Sequence, residues 1–379
     1  MTEAMVIGGG PAGATLALRL ARAGRAVTLI ERETGPHHKV CGEFLSGEAL
    51  GYLSDLGLDV DALGAAPIGT VALARSRRFA AAALPFPARS LSRRVLDEAL
   101  LDASARAGAT LLRGRRVSAL ARGPSGWTAR LDDGEEIAAP HAFLATGKHE
   151  LREWKRPPAP QGDLVGFKLH WRLAPGQAAA LDRRVELYLF PGGYAGLEPI
   201  EDGMANLCLL VRRRRLAALD GSWPRLLAAI RSACPMLALR LAGAEPWVDR
   251  PLAAAALPYG HVAHEALGLW RLGDQAAVIP SFAGDGMAIA LHSAALAAEA
   301  FLAGGGANDF QGRLHRELAP QVRRATLLSQ ALVRPWGQQI AGAAAALAPD
   351  LMRLVAARTR ISALPLDGTL SSGSHYRAA

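Results

Sequence analysis

Gly8, Gly10 and Gly13 stand at GxGxxG spacing in the run Gly8-Gly9-Gly10-Pro11-Ala12-Gly13. This spacing suits a dinucleotide pyrophosphate. The first glycine lets the chain turn, the second lets backbone approach the phosphates, and the third lets the next helix lie close on a sheet. Glu31 follows at a distance where an acid can accept hydrogen bonds from a ribose, and its charge would repel the 2′-phosphate of NADP. A second group lies far downstream. Gly273-Asp274 ends a strand-like run, and Pro280, Gly284, Asp285, Gly286 and Met287 form a turn that lets backbone come close to a flat ring. Between the two groups, Cys41 and Tyr194 can give or take a proton, although a buried cysteine also serves as a small apolar residue. Lys168 and His170 alternate with Phe167 and Leu169, so both can point to one side of a strand.

These residues need particular elements behind them. Met5 to Ile7 reads as a short buried strand, and Ala12, Leu16, Ala17 and Leu20 form one apolar face of a helix that Gly24 closes. Pro11 suits the first helical turn, where it leaves no N–H unpaired. Val27 to Ile30 reads as a second strand, so strand, glycines, helix, strand and acid stand in the order a dinucleotide site requires. Ser92 can cap a helix with Leu96, Leu100 and Ala103 on its apolar face. Strands are expected at 109–112, 117–121, 127–131, 164–171, 185–190 and 205–211, with short strand-like pieces at 70–91 broken by Pro85 and Pro87. From Asp309 the tail reads as helical, with Leu314, Leu318, Val322 and Leu327 spaced for packing, and 339–358 as an amphipathic helix with Arg353 and Arg358 on its polar side.

The 379 residues are half hydrophobic and carry a net charge of +9, enough chain for two or three domains' worth of core. All but four of the 43 basic residues are arginine, a bias that fits a GC-rich coding sequence better than a nucleic-acid surface, and no nucleic-acid partner is expected. The run Arg212 to Arg215 reads as a solvated strand end, with an anion patch or a membrane-facing patch as the alternatives. Three scattered cysteines make no disulfide framework, no apolar run reaches the length of a membrane span, and a cytoplasmic location is expected. His37, His38 and Cys41 are metal-ligand types without a fourth partner, so no metal is expected.

The segment Lys39-Val40-Cys41-Gly42 resembles the K-x-C-G loop of geranylgeranyl-reductase-like flavoproteins, which passes beside the flavin ring. Ser92-Arg93 with Leu96, Asp97 and Leu100 resembles the helix of this superfamily whose first arginine contacts the cofactor. Ala145-Thr146-Gly147 stands where the related aromatic hydroxylases carry Ala-Asp-Gly, a departure that puts hydroxylase-style reduction by NADPH in doubt. Tyr188 and Phe190-Pro191 match part of a Tyr-x-Trp-x-Phe-Pro strand, and the Trp-x-Trp-x-Ile-Pro run of flavin halogenases is missing.

The resemblance implies an α/β fold. It consists of a Rossmann-like FAD-binding domain of glutathione-reductase type (1–70, 91–155 and 250–308), an inserted antiparallel-sheet substrate domain (71–90 and 156–249) and a helical C-terminal region (309–379). FAD is the implied cofactor, held by Gly8, Gly10, Pro11, Ala12, Gly13, Glu31, Arg32, Cys41, Gly42, Arg93, Val117, Ala145, Thr146, Gly147, Gly273, Asp274, Pro280, Gly284, Asp285, Gly286 and Met287, with NADH or NADPH as candidate electron donor. Phe44, Lys168, His170, Tyr188, Phe190 and Tyr194 are the expected substrate pocket, with Cys41 and Tyr194 as candidate catalytic groups. The expected reaction is hydride transfer between flavin N5 and a small hydrophobic metabolite, by reduction of a C=C bond or its reverse. A flavin monooxygenase acting on an aromatic or polyketide-like ring and a degenerate flavin-fold binding protein remain the alternatives. An electron-donor protein is the one macromolecular partner considered.

Overall fold

The computed structural model describes residues 2–361. Its centre is a five-stranded parallel sheet in the order Trp270–Arg271, His141–Leu144, Ala4–Ile7, Val27–Glu31 and Thr110–Arg113. Ala4–Ile7 and Val27–Glu31 are buried along their whole length, as expected for strands covered on both faces. The helix Pro11–Arg22 lies against the Gly286–Leu302 helix. Leu16, Leu18 and Leu20 are fully excluded from water, each contributing about 1.5–3 kcal/mol of burial. Gly286–Leu302 carries little but Ala, Leu and other apolar residues because it crosses the middle of this core. A three-stranded meander, Val117–Gly123, Gly126–Leu131 and Glu136–Ala139, packs Trp127 and Leu131 beneath the central sheet.

A second sheet of nine strands forms most of the inserted part. Its main path runs Glu245–Pro246, Leu164–Arg172, Ala205–Arg212, Gly193–Pro199, Arg184–Phe190, Ala66–Arg75, Arg78–Ser90 and Phe44–Leu45, with Leu252–Ala255 added beside Leu164–Arg172. Arg184–Phe190 pairs in parallel with Ala66–Arg75, and the other pairs are antiparallel.

Two local expectations change. Pro85 and Pro87 do not end the strand at 78–90. The ladder shifts register between Ile68 and Thr70, opposite the proline-containing stretch, so residues without an N–H fall where the pairing is already irregular. The segment 339–358 is not one helix: Pro335–Leu347 and Asp350–Arg358 meet at a bend of 119° around Pro349. Leu314, Leu318 and Val322 are buried in the Ala307–Leu332 helix, whereas Leu327 is 58% exposed.

Candidate active site

The glycine loop is built too tightly for side chains. A Cβ on Gly13 would lie 1.9 Å from the Gly8 carbonyl oxygen, and one on Gly8, whose φ is +105°, would lie 2.5 Å from that of Ala145. Gly10 precedes the Pro11–Arg22 helix without a side-chain cap. The helices beginning after Ser46, Ser92 and Ser222, by contrast, are each capped by their serine hydroxyl. The first-turn N–H groups after Gly10 therefore remain available to an anion, with the positive end of the helix dipole behind them. Buried Glu31 accepts the Gly9 N–H at 2.6 Å and the Glu33 N–H at 3.0 Å, which fixes the acid beside the loop. Arg93 stands over the loop, its Nη2 3.3 Å from where a Cβ of Gly10 would be. Asp97 holds it from two sides at 2.6 and 2.8 Å and also receives Lys39 at 2.9 Å.

The distant second group meets the first. A Cβ on Gly273 would lie 3.2 Å from the Ala12 methyl, and Gln275 ties this turn to the other strand end by donating to the Gly147 carbonyl at 2.9 Å. Gly273–Gln275 is a 3₁₀ turn directly after the short strand. The Asp274 carboxylate makes no hydrogen bond among the described residues, while its carbonyl receives Arg156. Gly284 is left-handed and lies against Phe44, so the Cys41–Phe44 loop reaches the Pro280–Met287 turn. Asp285 precedes a second helix without a side-chain cap, Gly286–Leu302. Its buried carboxylate is paired with Arg360 at 2.9 Å and accepts the Ile361 N–H at 2.8 Å. Burial pushes it up to about 6, with Arg360 opposing.

Above these loops lies one face of the nine-stranded sheet. The registers Lys168 opposite Cys208, His170 opposite Asn206, and then Gly196 and Glu198 opposite the same two residues put all six on one side. The loop Cys41-Gly42-Glu43 is pinned beneath, since Asn206 Nδ2 donates to the Cys41 and Gly42 carbonyls at 3.2 and 3.1 Å. Glu43 adopts φ +61°, an uncommon conformation for a residue with a side chain, and is fully buried. Its carboxylate accepts hydrogen bonds from Lys168 Nζ and from His170 Nε2, the latter at 2.8 Å, and from the Arg93 N–H at 2.8 Å. Burial alone would raise this carboxyl; the His170 hydrogen bond and the Lys168 charge outweigh it and hold Glu43 below the usual carboxylate range. His38 meets the His170 ring edge-on at 4.6 Å, and burial together with the neighbouring His170 and Lys168 lowers it to about 4. Glu198 is moved the other way. Burial, reinforced by the Glu43 charge, raises it well above the carboxylate range, with the neighbouring Asn206 and Ser90 opposing.

Ligand atoms of His38, Glu43 and His170 lie within 4.8 Å of one another, the spacing of a possible metal site. The Lys168 ammonium already occupies the same carboxylate, so a divalent cation there would face a positive charge at short range.

Tyr188 and Phe190, expected in the pocket, are not on this face. Strand alternation turns them to the opposite side, among Phe167, Leu169, Leu207 and Leu209 under the helices at 223–240, where Tyr188 donates to Glu186. Tyr194 does lie on the site side, with Phe282 edge-on at 6.1 Å; burial raises its phenol, whose oxygen is buried without a hydrogen-bond partner among the described residues. Cys41 accepts the Glu43 N–H at 3.4 Å. Among the other expected cofactor residues, Arg32 pairs with Glu33 near the surface, Val117 packs in the core under the central sheet, and Thr146 donates to the His149 carbonyl at 2.6 Å. Glu43, Glu198 and Asn206 were missed as site residues. The signal that would have found the strand residues is the polar and small alternation of 194–198 and 206–210 beside that of 168–170.

Residues 1–141 match the FAD-binding-domain family. The chain is an FAD-dependent oxidoreductase. Along nearly its full length the oxidoreductase is 27% identical to a menaquinone reductase of Mycolicibacterium smegmatis, over 93% of this chain and 90% of that one. A menaquinone reductase of Mycobacterium tuberculosis matches at 45% over 56 residues, 15% of this chain and 14% of that one. In fold the oxidoreductase is similar to the myxobacterial chondrochloren halogenase CndH (22% identical, TM-score 0.75, 97% of this chain and 91% of that one). It is also similar to the flavin-dependent brominase Bmp2 (19%, TM-score 0.74, 94% and 93%). The donor set fits FAD: two helix N-termini without side-chain caps, a glycine cradle that a single Cβ would fill, and the unengaged Asp274 carboxylate converge across the Ala12–Gly273 contact.

Proposed function

We propose that this oxidoreductase reduces a carbon–carbon double bond in a hydrophobic, prenyl-type substrate such as the side chain of an isoprenoid quinone. The K-x-C-G resemblance and the full-length likeness to a menaquinone reductase support the substrate class. Bound and reduced, FAD supplies a hydride at N5 to one alkene carbon. The other carbon needs a proton, and the observation that carries the reading is the source of that proton. Glu198 is a buried carboxyl that burial and the Glu43 charge push toward its protonated form, on the sheet face turned toward the Cys41–Glu43 loop.

The residues then divide by role. Gly8 to Gly13 and Arg93 hold the pyrophosphate, Glu31 the ribose, Asp274 the ribityl hydroxyls, and Gly284 to Met287 the ring edge. Glu198 is the proton donor, and Asn206, opposite it on the same sheet face, fixes the loop below. Glu43, carrying Lys168 and His170, keeps a negative charge near Glu198 that favours its protonated form. Phe44 and Tyr194 shape the apolar part of the pocket. The balance would close with one hydride, which bound reduced FAD would supply, and one proton from Glu198 added across the double bond, leaving Glu198 as a carboxylate to be reprotonated.

The test is anaerobic turnover of a prenyl quinone by the reduced enzyme. The product should gain two hydrogens and no oxygen. Product formed only with oxygen and carrying a new hydroxyl would replace this reading with the monooxygenase one.

A further inference from the structure

Outside the site, the most unusual surface belongs to the two C-terminal helices. Pro335–Leu347 is inverted with respect to an ordinary surface helix. The side it turns to the protein carries Gly337, Gln338, Gly342 and Ala345, all buried, and Gln338 Nε2 donates to the carbonyls of Phe190, Gly193 and Leu332 at 2.7–3.1 Å. The side it turns outward carries Trp336, Ile340 and Leu347, which are 53%, 63% and 87% exposed. Asp350–Arg358 continues the pattern with exposed Leu351, Leu354 and Val355. Among the described residues, seven of the thirteen exposed large apolar side chains fall between 327 and 355, which makes this a patch and not scatter.

Charge decides what the patch fits. Exposed Arg323, Arg324, Arg334, Arg353 and Arg358 flank it, against the single acid Asp350. In a symmetric pair of this chain those arginines would be brought toward their own copies; against an anionic lipid surface they are attracted. No single helix is long and apolar enough to cross a membrane, so the 119° elbow is suited to lie in the interface. The patch is also tied to the redox site, because Arg360 and Ile361, just past the second helix, bind the carboxylate of Asp285, at the start of the helix that follows the Gly284 turn.

We infer that the outward face of residues 335–358 docks on an anionic bilayer, from which a hydrophobic substrate is drawn. The docking surface stands independently of the reaction proposed above; only the route of substrate delivery rests on that reading.

The experiment is flotation of the FAD-loaded full chain with vesicles of phosphatidylcholine alone or with phosphatidylglycerol. The wild type should float with the anionic vesicles and be released by salt. Ile340→Glu with Leu347→Glu should lower flotation more than tenfold while the bound-flavin spectrum and turnover of a short-chain soluble substrate are kept. Should that double variant fail to fold, Arg353→Gln and Arg358→Gln serve instead, each weakening binding about fivefold. No flotation of the wild type, or equal flotation of the variants, would overturn the inference. So would light scattering that shows a dimer which Ile340→Glu splits, since the face would then cover a second copy. Loss of short-chain turnover in the wild type would count against the proposed reaction alone.

Discussion

Two buried glutamates sit on opposite faces of the same nine-stranded sheet, and each is held by cations. On the outer face Glu186 receives Arg240 at 2.9 and 3.0 Å, together with Tyr188 and Arg184. On the inner face Glu43 receives Lys168 and His170. The settings differ in what surrounds the pair. Glu186 is enclosed by Phe, Leu and Trp side chains of one core, and its partner Arg240 comes from a helix that covers that core. Glu43 comes from a loop in a strained conformation and is surrounded by polar and charged side chains: His38, His170, Lys168 and, across the sheet face, Glu198. A buried ion pair that closes on itself serves the fold, whereas one with a raised acid beside it holds protons where chemistry needs them.

The comparison can be broken most directly at Glu198. Glu198→Gln should lower single-turnover reduction of substrate by about 10²–10⁴-fold while the flavin spectrum and thermal midpoint stay near wild type, as for loss of a general acid. A variant with full activity would put the inner face on the same footing as the outer one. The opposite result is expected at Arg240. Arg240→Ala leaves Glu186 buried without its main cation and should cost about 3–5 kcal/mol in denaturant unfolding, with kcat of the folded fraction unchanged.

Smaller effects sharpen the distinction. Glu43→Gln removes the charge that helps keep Glu198 protonated, so the high-pH limb of the rate profile should move to lower pH. A limb that does not move would separate Glu43 from the proton donor. Tyr188→Phe should cost about 1.5–3 kcal/mol of stability, a hydrogen bond to a charged group, and leave KM unchanged because the side chain faces away from the pocket. The smallest effect concerns His38. Its folded value of about 4 lies below its ordinary one, so the unfolded chain binds more protons between pH 6.5 and 4 and stability falls as pH drops through that window. His38→Gln should remove on the order of 1 kcal/mol of that loss, a figure discounted for the partial exposure of the ring. Thermal midpoints at pH 7 and 5 measure it.

Much of the nucleotide half was legible in the chain because its rules are local. Gly8, Gly10 and Gly13 require their spacing wherever a strand turns into a helix under a pyrophosphate, and the strand pattern on either side is read from consecutive residues. Alternation along 164–171 likewise put Lys168 and His170 on one side of a strand before any partner was known. The same rule applied to 184–190 says only that Tyr188 and Phe190 share a face; which face meets the cofactor depends on where the covering helices dock.

What the sequence determined by itself was therefore the class of cofactor site and the side-by-side grouping of residues within each element. Tertiary structure decided the rest. The distances between Glu43 and Lys168, between Ala12 and Gly273, and between Asp285 and Ile361 join residues separated by 76 to about 260 positions. No local propensity encodes such contacts, because they exist only once the core has fixed how the sheets and helices stack. The protonation states of Glu43 and Glu198 follow from that stacking, since desolvation and neighbouring charge act through space and not along the chain.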